Sequence, residues 1–187
     1  LLLVSSFSTA PHAALLNHRL HGYWSDTTVT IAMSVCGNKQ YEALISLKSA
    51  FLHLTETNTY AFHIWTDRPH HVLKSTLSTF VRYNLGRRVP ITLRFHKVIE
   101  DSSIQRMFAR CSANRLLMPK QMAQMGMNKY IYVDIDTIWL DDPANLMALF
   151  NDFDDAQQFG MALEVEGGNW SYYQQHQTSQ RPFYGSG

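Results

Sequence analysis

Two carboxylates spaced i, i+2, Asp134 and Asp136, close the apolar run Lys129-Tyr130-Ile131-Tyr132-Val133 and are the residues best placed to do chemistry. Side chains alternate across a strand, so residues i and i+2 point the same way. Two carboxylates on one side form a hard-oxygen half-site for Mn²⁺ or Mg²⁺ and leave the remaining positions to water and phosphate. The spacing alone is a weak signal, arising about once by chance in such a chain. Its context is stronger. Tyr130 to Val133 are all aromatic or β-branched, as in a strand covered on both faces, and the acids fall at its carboxyl end, where open α/β sheets place their ligands. Asp152-Phe153-Asp154 repeats the spacing in a polar, turn-like run with no apolar strand before it. The competing reading of Asp134 and Asp136, strand-end acids that cap or solvate the next turn, is weakened by the apolar strand in front of them.

Arg115 is the natural partner of these acids. An arginine on a helix leading into the strand can neutralise carboxylates or a sugar-bound diphosphate with bidentate geometry, although an ordinary exposed helix residue reads the same way. The nine histidines show no clean ligand spacing apart from adjacent His70-His71, and read as structural or surface residues. Cys36 and Cys111 leave room for one bridge and otherwise read as small packing residues, since no base adjoins either. Glu164 ends a further apolar run and is a candidate for orienting an acceptor. Trp170, Tyr172 and Tyr173 are suited to stacking on a sugar ring or to anchoring a loop.

The elements that must position these groups follow from periodicity. Thr28 to Cys36 reads as a first strand closed by Gly37-Asn38. A helix follows with Tyr41, Leu44, Ile45, Lys48, Phe51 and Leu52 on one face and Asn38 as its cap. Tyr60 to Thr66 is a second strand closed by Asp67. Pro69 suits the first turn of a helix carrying Val72, Leu73, Leu77 and Phe80, and Ile91 to His96 alternates as a third strand. Cys111 to Gln124 reads as a helix with Ser112 as its cap and a kink or early break at Pro119. After the central strand, Asp142 caps a short helix with Pro143 at its first position and Leu146, Leu149 and Phe150 inward. Gly160 to Glu164 is a last strand, and the remainder reads as a loop over the site. The β-α-β-α-β order implies right-handed crossovers and a layered α/β sheet.

Composition bounds the rest. A chain of 187 residues, 45% hydrophobic, buries one ordinary core. Sixteen Lys and Arg against fifteen Asp and Glu give a net charge of +1, so no broad basic field points to nucleic acid. Residues 1–26 read as a stem or the end of a membrane anchor, with a disordered or loosely packed leader as the alternative; residues 27–187 read as the N-terminal part of a catalytic domain. Asn169-Trp170-Ser171 is an N-glycosylation acceptor pattern, relevant only in the secretory pathway.

A competing enzyme class is the haloacid-dehalogenase-type phosphatase, whose apolar-strand D-x-D-x-T start Val133 to Thr137 also fits, with Asp134 as covalent nucleophile and Asp136 as acid/base. Against it, three strands precede the motif, the expected Gly near Thr137 is absent, and no downstream Lys with a later Asp pair is recognisable. A non-catalytic nucleotide-sugar-binding protein is the third reading.

The chain resembles the branch of glycosyltransferase family eight that contains the glucoside xylosyltransferases. The resemblance rests on Val35-Cys36-Gly37, the helix Leu44 to Phe51, Phe62-His63-Ile64, His70-His71 and above all Cys111-Ser112-Ala113-Asn114-Arg115-Leu116 with Pro119. It continues through Tyr132 to Asp136 with Leu140 and Pro143, then Met161 to Glu164, Trp170 and Tyr184-Gly185. It implies a GT-A-like (Rossmann-like) α/β fold, a mixed sheet flanked by helices and truncated at its C-terminus. It also implies a Mn²⁺- or Mg²⁺-dependent enzyme that moves xylose from UDP-xylose, with retention, onto O-linked glucose of EGF-like repeats. Asp134, Ile135 and Asp136 match the donor-binding segment, with Asp134 and Asp136 as the metal pair. Arg115 matches the arginine that contacts the donor sugar, and Val35, Cys36 and Gly37 match the turn beside the uridine. Many members carry an Asp in that turn, where this chain has Gly37. The branch's single-pass type II topology implies a Golgi or endoplasmic reticulum membrane, a lumenal catalytic domain and a missing N-terminal anchor. Its downstream Asn-Ser/Ala-Gly segment and late metal-ligand His fall beyond Gly187.

Overall fold

The computed structural model describes residues 2–6, 28–69, 71–85, 88–98, 110–154 and 156–161. Its elements in chain order are β1 (Leu2–Ser6), β2 (Thr28–Val35), α1 (Gln40–Phe51), β3 (Thr59–Thr66), α2 (His71–Phe80) with a π-helical turn Val81–Leu85, β4 (Ile91–Lys97), α3 (Arg110–Gln124), β5 (Lys129–Val133), α4 (Pro143–Met147) with a 3₁₀ turn Ala148–Asp152, and β6 (Phe159–Met161). The six strands form one sheet in the order β4-β3-β2-β5-β1-β6. Strands β2, β3, β4 and β5 run parallel, and β1 pairs antiparallel with both β5 and β6. The expected mixed α/β sheet is therefore present.

Side-chain alternation divides the core into two faces. Val29, Ile31, Met33 and Val35 of β2, Tyr60, Phe62 and Ile64 of β3, and Ile131 and Val133 of β5 pack against Leu44, Leu47 and Phe51 of α1 and Leu73 and Leu77 of α2. On the opposite face Ala32, Trp65, Tyr130 and Tyr132 pack against Met118 and Met122 of α3. Helices on both faces explain why these strands read as continuous apolar runs.

Several local expectations shift. Helix α1 buries Ala43, Leu44, Ser46, Leu47, Ala50 and Phe51, while Tyr41, Ile45 and Leu52 are exposed. Ala43, Ser46 and Ala50 let the helix approach the sheet closely between the anchors Leu44, Leu47 and Phe51. Leu44 and Phe51 are buried as expected, and Lys48 lies along that face with its ammonium 5.6 Å from the Phe80 ring. Asn38 does not cap α1: Lys39 precedes the helix without a side-chain cap, and the Asn38 amide oxygen accepts from Arg68 at 2.6 Å. Helix α2 begins at His71, so Pro69 lies outside it, and Val72 is exposed. Ser112 lies inside α3, which runs through Pro119 to Gln124. Burial of Met118 and Met122 on either side of Pro119 holds that turn against the sheet. Leu149 is exposed, whereas Phe150 is buried. Residues 2–6, given no place in the sheet from the sequence, form a strand between β5 and β6. No described helix is long and apolar enough to cross a membrane.

Candidate functional site at the switch point of the sheet

From β2 the chain passes through β3 to β4 on one side, then returns to β5 on the other side of β2. The reversal of strand order opens a crevice beyond the carboxyl ends of β2 and β5, the position where doubly wound sheets bind ligands. The segments that converge there are Cys36-Gly37 after β2, Asp67 after β3 and Asp134 to Asp136 after β5.

The β2 turn is shaped by Gly37, whose φ of +63° lies in the left-handed region that L side chains resist. Its N–H donates to Asp67 Oδ2 at 3.1 Å. The turn is further fixed to α3 by a disulfide between Cys36 and Cys111, with Cα atoms 6.0 Å apart. The bridge open in the sequence is therefore formed, and neither cysteine is a free thiol.

Strand β5 ends at Val133, so Asp134 is its first residue beyond and Ile135-Asp136 lie in a turn. Alternation nevertheless persists: Ile135 packs with the core on the α1 side, while Asp134 stays on the α3 side with Tyr132, whose hydroxyl donates to Asp134 Oδ1 at 3.0 Å. Arg115 projects from α3 to the same carboxylate, Nη1 standing 3.8 Å from Oδ2, both side chains about three-tenths exposed. Burial, reinforced by the Asp134 charge, pushes the Tyr132 hydroxyl far above its ordinary range and keeps it a donor. Asp136 is exposed and looks toward the β2–α1 turn: Lys39, ion-paired with Glu42 at 2.8 Å, has its pKa raised chiefly by that pair and also by Asp136.

This donor set suits a hard divalent cation. Both acids retain solvent access, and one carboxylate is oriented by a hydroxyl. Among the described residues no group of three or more His, Cys, Asp or Glu is gathered to hold a metal. The control motif behaves differently: Asp152 and Asp154 are exposed in a 3₁₀ turn and the coil after it, and among the described residues Asp154 accepts from neighbouring backbone, Ala156 N at 2.8 Å and Gln157 N at 3.0 Å.

The turn after β5 is anchored along its length. The Trp139 N–H donates to Ser49 Oγ of α1 at 2.9 Å. Asp142, the expected cap of α4, accepts from Ala144 N at 2.8 Å. Its carboxylate also accepts from Tyr60 Oη at 2.8 Å and Thr55 Oγ1 at 2.9 Å.

Arg115, Asp134, Ile135, Asp136 and the Val35-Cys36-Gly37 turn thus come to one end of the sheet. Glu164, Asn169, Trp170, Tyr172, Tyr173 and His70 lie outside the described residues. Sequence reasoning missed Asp67 and Tyr132. Both had a signal: Asp67 ends a parallel strand as Asp134 does, and Tyr132 stands two residues before Asp134 on the same side.

No protein-family model matches the chain. Glucoside xylosyltransferase 2 of Mus musculus is 28% identical over 172 residues, covering 89% of this chain and 37% of that protein. Glucoside xylosyltransferase 1 of Rattus norvegicus is 26% identical over 159 residues, covering 83% and 34%. The chain therefore spans little more than a third of the length of the curated relatives it matches. Among solved structures, the apo form of the bifunctional glycosyltransferase WbbM aligns with a TM-score of 0.53 at 17% identity, over 68% of this chain and 22% of that one. At that identity the likeness speaks for the fold, a GT-A-like α/β arrangement. In sequence the chain is similar to the glucoside xylosyltransferases, and in fold to a glycosyltransferase.

Proposed function

We propose that this chain forms the nucleotide-sugar-binding part of a metal-dependent retaining glycosyltransferase, and that the sugar is xylose, carried by UDP and delivered to O-linked glucose on EGF-like repeats of a glycoprotein. The observation that carries the reading is the Asp134 carboxylate, held between Tyr132 and Arg115 at the switch point of the sheet, with Asp136 and the Gly37 turn beside it. The donor and acceptor are taken from the similarity to glucoside xylosyltransferases.

In this reading Asp134 and Asp136 hold Mn²⁺ or Mg²⁺, which as a Lewis acid stabilises charge developing on the departing diphosphate. Arg115 adds a fixed positive charge on the α3 side, able to face a phosphate or the donor sugar with paired N–H groups. The backbone of Val35, Cys36, Gly37 and Ile135 borders the nucleoside, and the disulfide at Cys36 keeps that border from shifting. Transfer with retention through a front-face displacement needs positioning and electrostatics and no strong protein nucleophile. Glu164 is assigned to acceptor orientation. The Cys36–Cys111 disulfide suits an oxidising compartment, in keeping with the lumen of the Golgi or endoplasmic reticulum.

The test is a panel of UDP-sugars supplied to the full-length protein with Mn²⁺, with and without an O-glucosylated EGF-like acceptor. Turnover with UDP-xylose supports the reading, and no hydrolysis or transfer from any UDP-sugar refutes it. An acid-labile phosphoryl group on Asp134, with indifference to UDP, would instead support the phosphatase. Metal-independent UDP binding without turnover would support the non-catalytic protein.

A further inference from the structure

We propose that Asp67 is a positioning residue for nucleotide binding, its carboxylate holding the Cys36-Gly37-Asn38 turn in the conformation that borders the nucleoside. The inference rests on the transferase reading and deepens it by naming what fixes that turn from the β3 side.

Strands β2 and β3 pair in parallel from Thr28 with Thr59 to Val35 with Thr66, where their ladder ends. Just beyond the last pair, side chains take over. The Gly37 N–H donates to Asp67 Oδ2 at 3.1 Å, a partly buried link between residues 30 apart in the chain. Arg68 Nη2 donates to Asn38 Oδ1 at 2.6 Å on the exposed side. Two consecutive residues after β3 therefore grip two consecutive residues after β2, with the donors running in opposite directions. The base of the grip is itself tied down, because the Val98 N–H donates to the Thr66 carbonyl at 2.9 Å. The Asp67 link is the stronger of the two: a backbone N–H bonds a carboxylate more tightly than a neutral acceptor, and partial burial limits competition from water.

The carboxylate selects a conformation. Gly37 has φ +63°, and a Cβ placed there would meet nothing within 4 Å among the described residues. Glycine is thus required by its left-handed backbone and not by crowding. The same residue that reaches this region also leaves a turn many other backbone states. The bond to Asp67 holds one of them, so that the nucleotide does not have to order the turn on binding. The Cys36–Cys111 disulfide restrains the preceding residue from the α3 side. The two restraints lead to different places: the disulfide leads to the helix that carries Arg115, whereas Asp67 follows β3, which lies on the far side of β2 from β5 and its acids. Loss of Asp67 should therefore be felt at the nucleoside border and not at the metal-binding pair.

The experiment titrates UDP into the full-length protein with Mn²⁺, then Mn²⁺ at saturating UDP, for wild type, Asp67→Asn, Asp67→Ala, Gly37→Ala and the Gly37→Ala/Asp67→Ala pair, with thermal unfolding of each in parallel. Asp67→Ala is expected to weaken UDP binding about tenfold, and Asp67→Asn, which keeps an acceptor oxygen, only about threefold. Gly37→Ala, strained at positive φ, is expected to weaken it about tenfold. The pair should lose clearly less than the product of the single losses, because both act through one turn. The Mn²⁺ concentration for half-saturation should keep its wild-type value throughout, which general damage to the fold would not allow. Wild-type UDP affinity in Asp67→Ala, or in Asp67→Asn where the alanine variant does not fold, overturns the inference and leaves the transferase reading standing. So does a full product in the pair, or a Mn²⁺ midpoint that moves with UDP affinity. A wild-type protein that binds no UDP overturns both.

Discussion

Cys36, directly after β2, is joined by a disulfide to Cys111 in the first turn of α3, across 75 residues of chain. The bond sits between the two sides of the candidate site: Gly37 follows Cys36, and Arg115 lies one helical turn after Cys111. Closing so long a loop constrains the unfolded chain by roughly 4 kcal/mol in the chain-entropy account. Replacing both cysteines by alanine should lower unfolding free energy by up to about that amount in denaturant titrations. It should also weaken UDP binding, because the Gly37 turn and Arg115 lose their common tether. Unchanged stability would show that packing alone holds α3 on the sheet.

Arg115 faces Asp134 with a group that is planar, permanently charged and able to offer paired donors. Arg115→Ala is expected to lower kcat/KM by on the order of a hundredfold, and Arg115→Lys to recover only part of it, since a point charge does not reproduce the fork. Steady-state kinetics with the donor varied checks this. Full recovery by lysine would reduce the role of Arg115 to charge alone.

Asp142 is a buried carboxylate with three donors, Tyr60, Thr55 and the Ala144 N–H. Asp142→Ala removes a helix cap and an acceptor of the buried Tyr60 hydroxyl, and should cost about 2 kcal/mol in equilibrium unfolding. Tyr60→Phe, which removes one donor and leaves the other two, should cost about 1 kcal/mol. Because the cap terminates the turn that begins at Asp134, the same variant should bind donor less tightly even where it remains folded.

His63 and His96 meet across β3 and β4, Nδ1 to Nε2 at 2.9 Å, with rings stacked 5.0 Å apart. Burial, with smaller contributions from His96 and Arg94, lowers the His63 pKa to about 4, and burial and Arg94 also lower that of His96. The unfolded chain, titrating near 6.5, takes up protons that the folded pair refuses. Stability is therefore fully present above about pH 6.5 and is lost as pH falls toward 4. For His63 the loss is on the order of 3 kcal/mol across that window. Unfolding free energies between pH 7.5 and 4.5 should fall less steeply in His63→Phe than in wild type, and an identical slope would contradict the assignment.

What the sequence disclosed follows from how local each signal is. The β5 run and its acids were legible because burial on both faces leaves an uninterrupted apolar stretch, and Asp142-Pro143 because capping chemistry is decided within three residues. The Cys36–Cys111 bridge and the His63–His96 contact depend on how α3 and β4 are laid against the sheet, which no local pattern encodes. Strand β1 was hidden because five residues, Leu2–Ser6, are too few for periodicity to separate a strand from an apolar leader. The face of α1 was legible only in part: Leu44 and Phe51 are buried as their spacing suggests, but close contact with the sheet takes Ala43, Ser46 and Ala50 where the pattern favoured the bulkier Tyr41, Ile45 and Leu52. Pro119 was read as a kink or an early break because its local penalty is visible, while the buried Met118 and Met122 that carry the helix past it belong to tertiary packing.

The most direct test of the central claim is calorimetric titration of UDP into the full-length protein, with Mn²⁺ and with chelator, for wild type, Asp134→Asn, Asp136→Asn and Asp154→Asn. The account predicts Mn²⁺-dependent binding that is lost in the first two variants and kept in Asp154→Asn, which has the same motif spacing but lies outside the switch-point site. Equal binding by all four proteins, or binding indifferent to Mn²⁺, would contradict it.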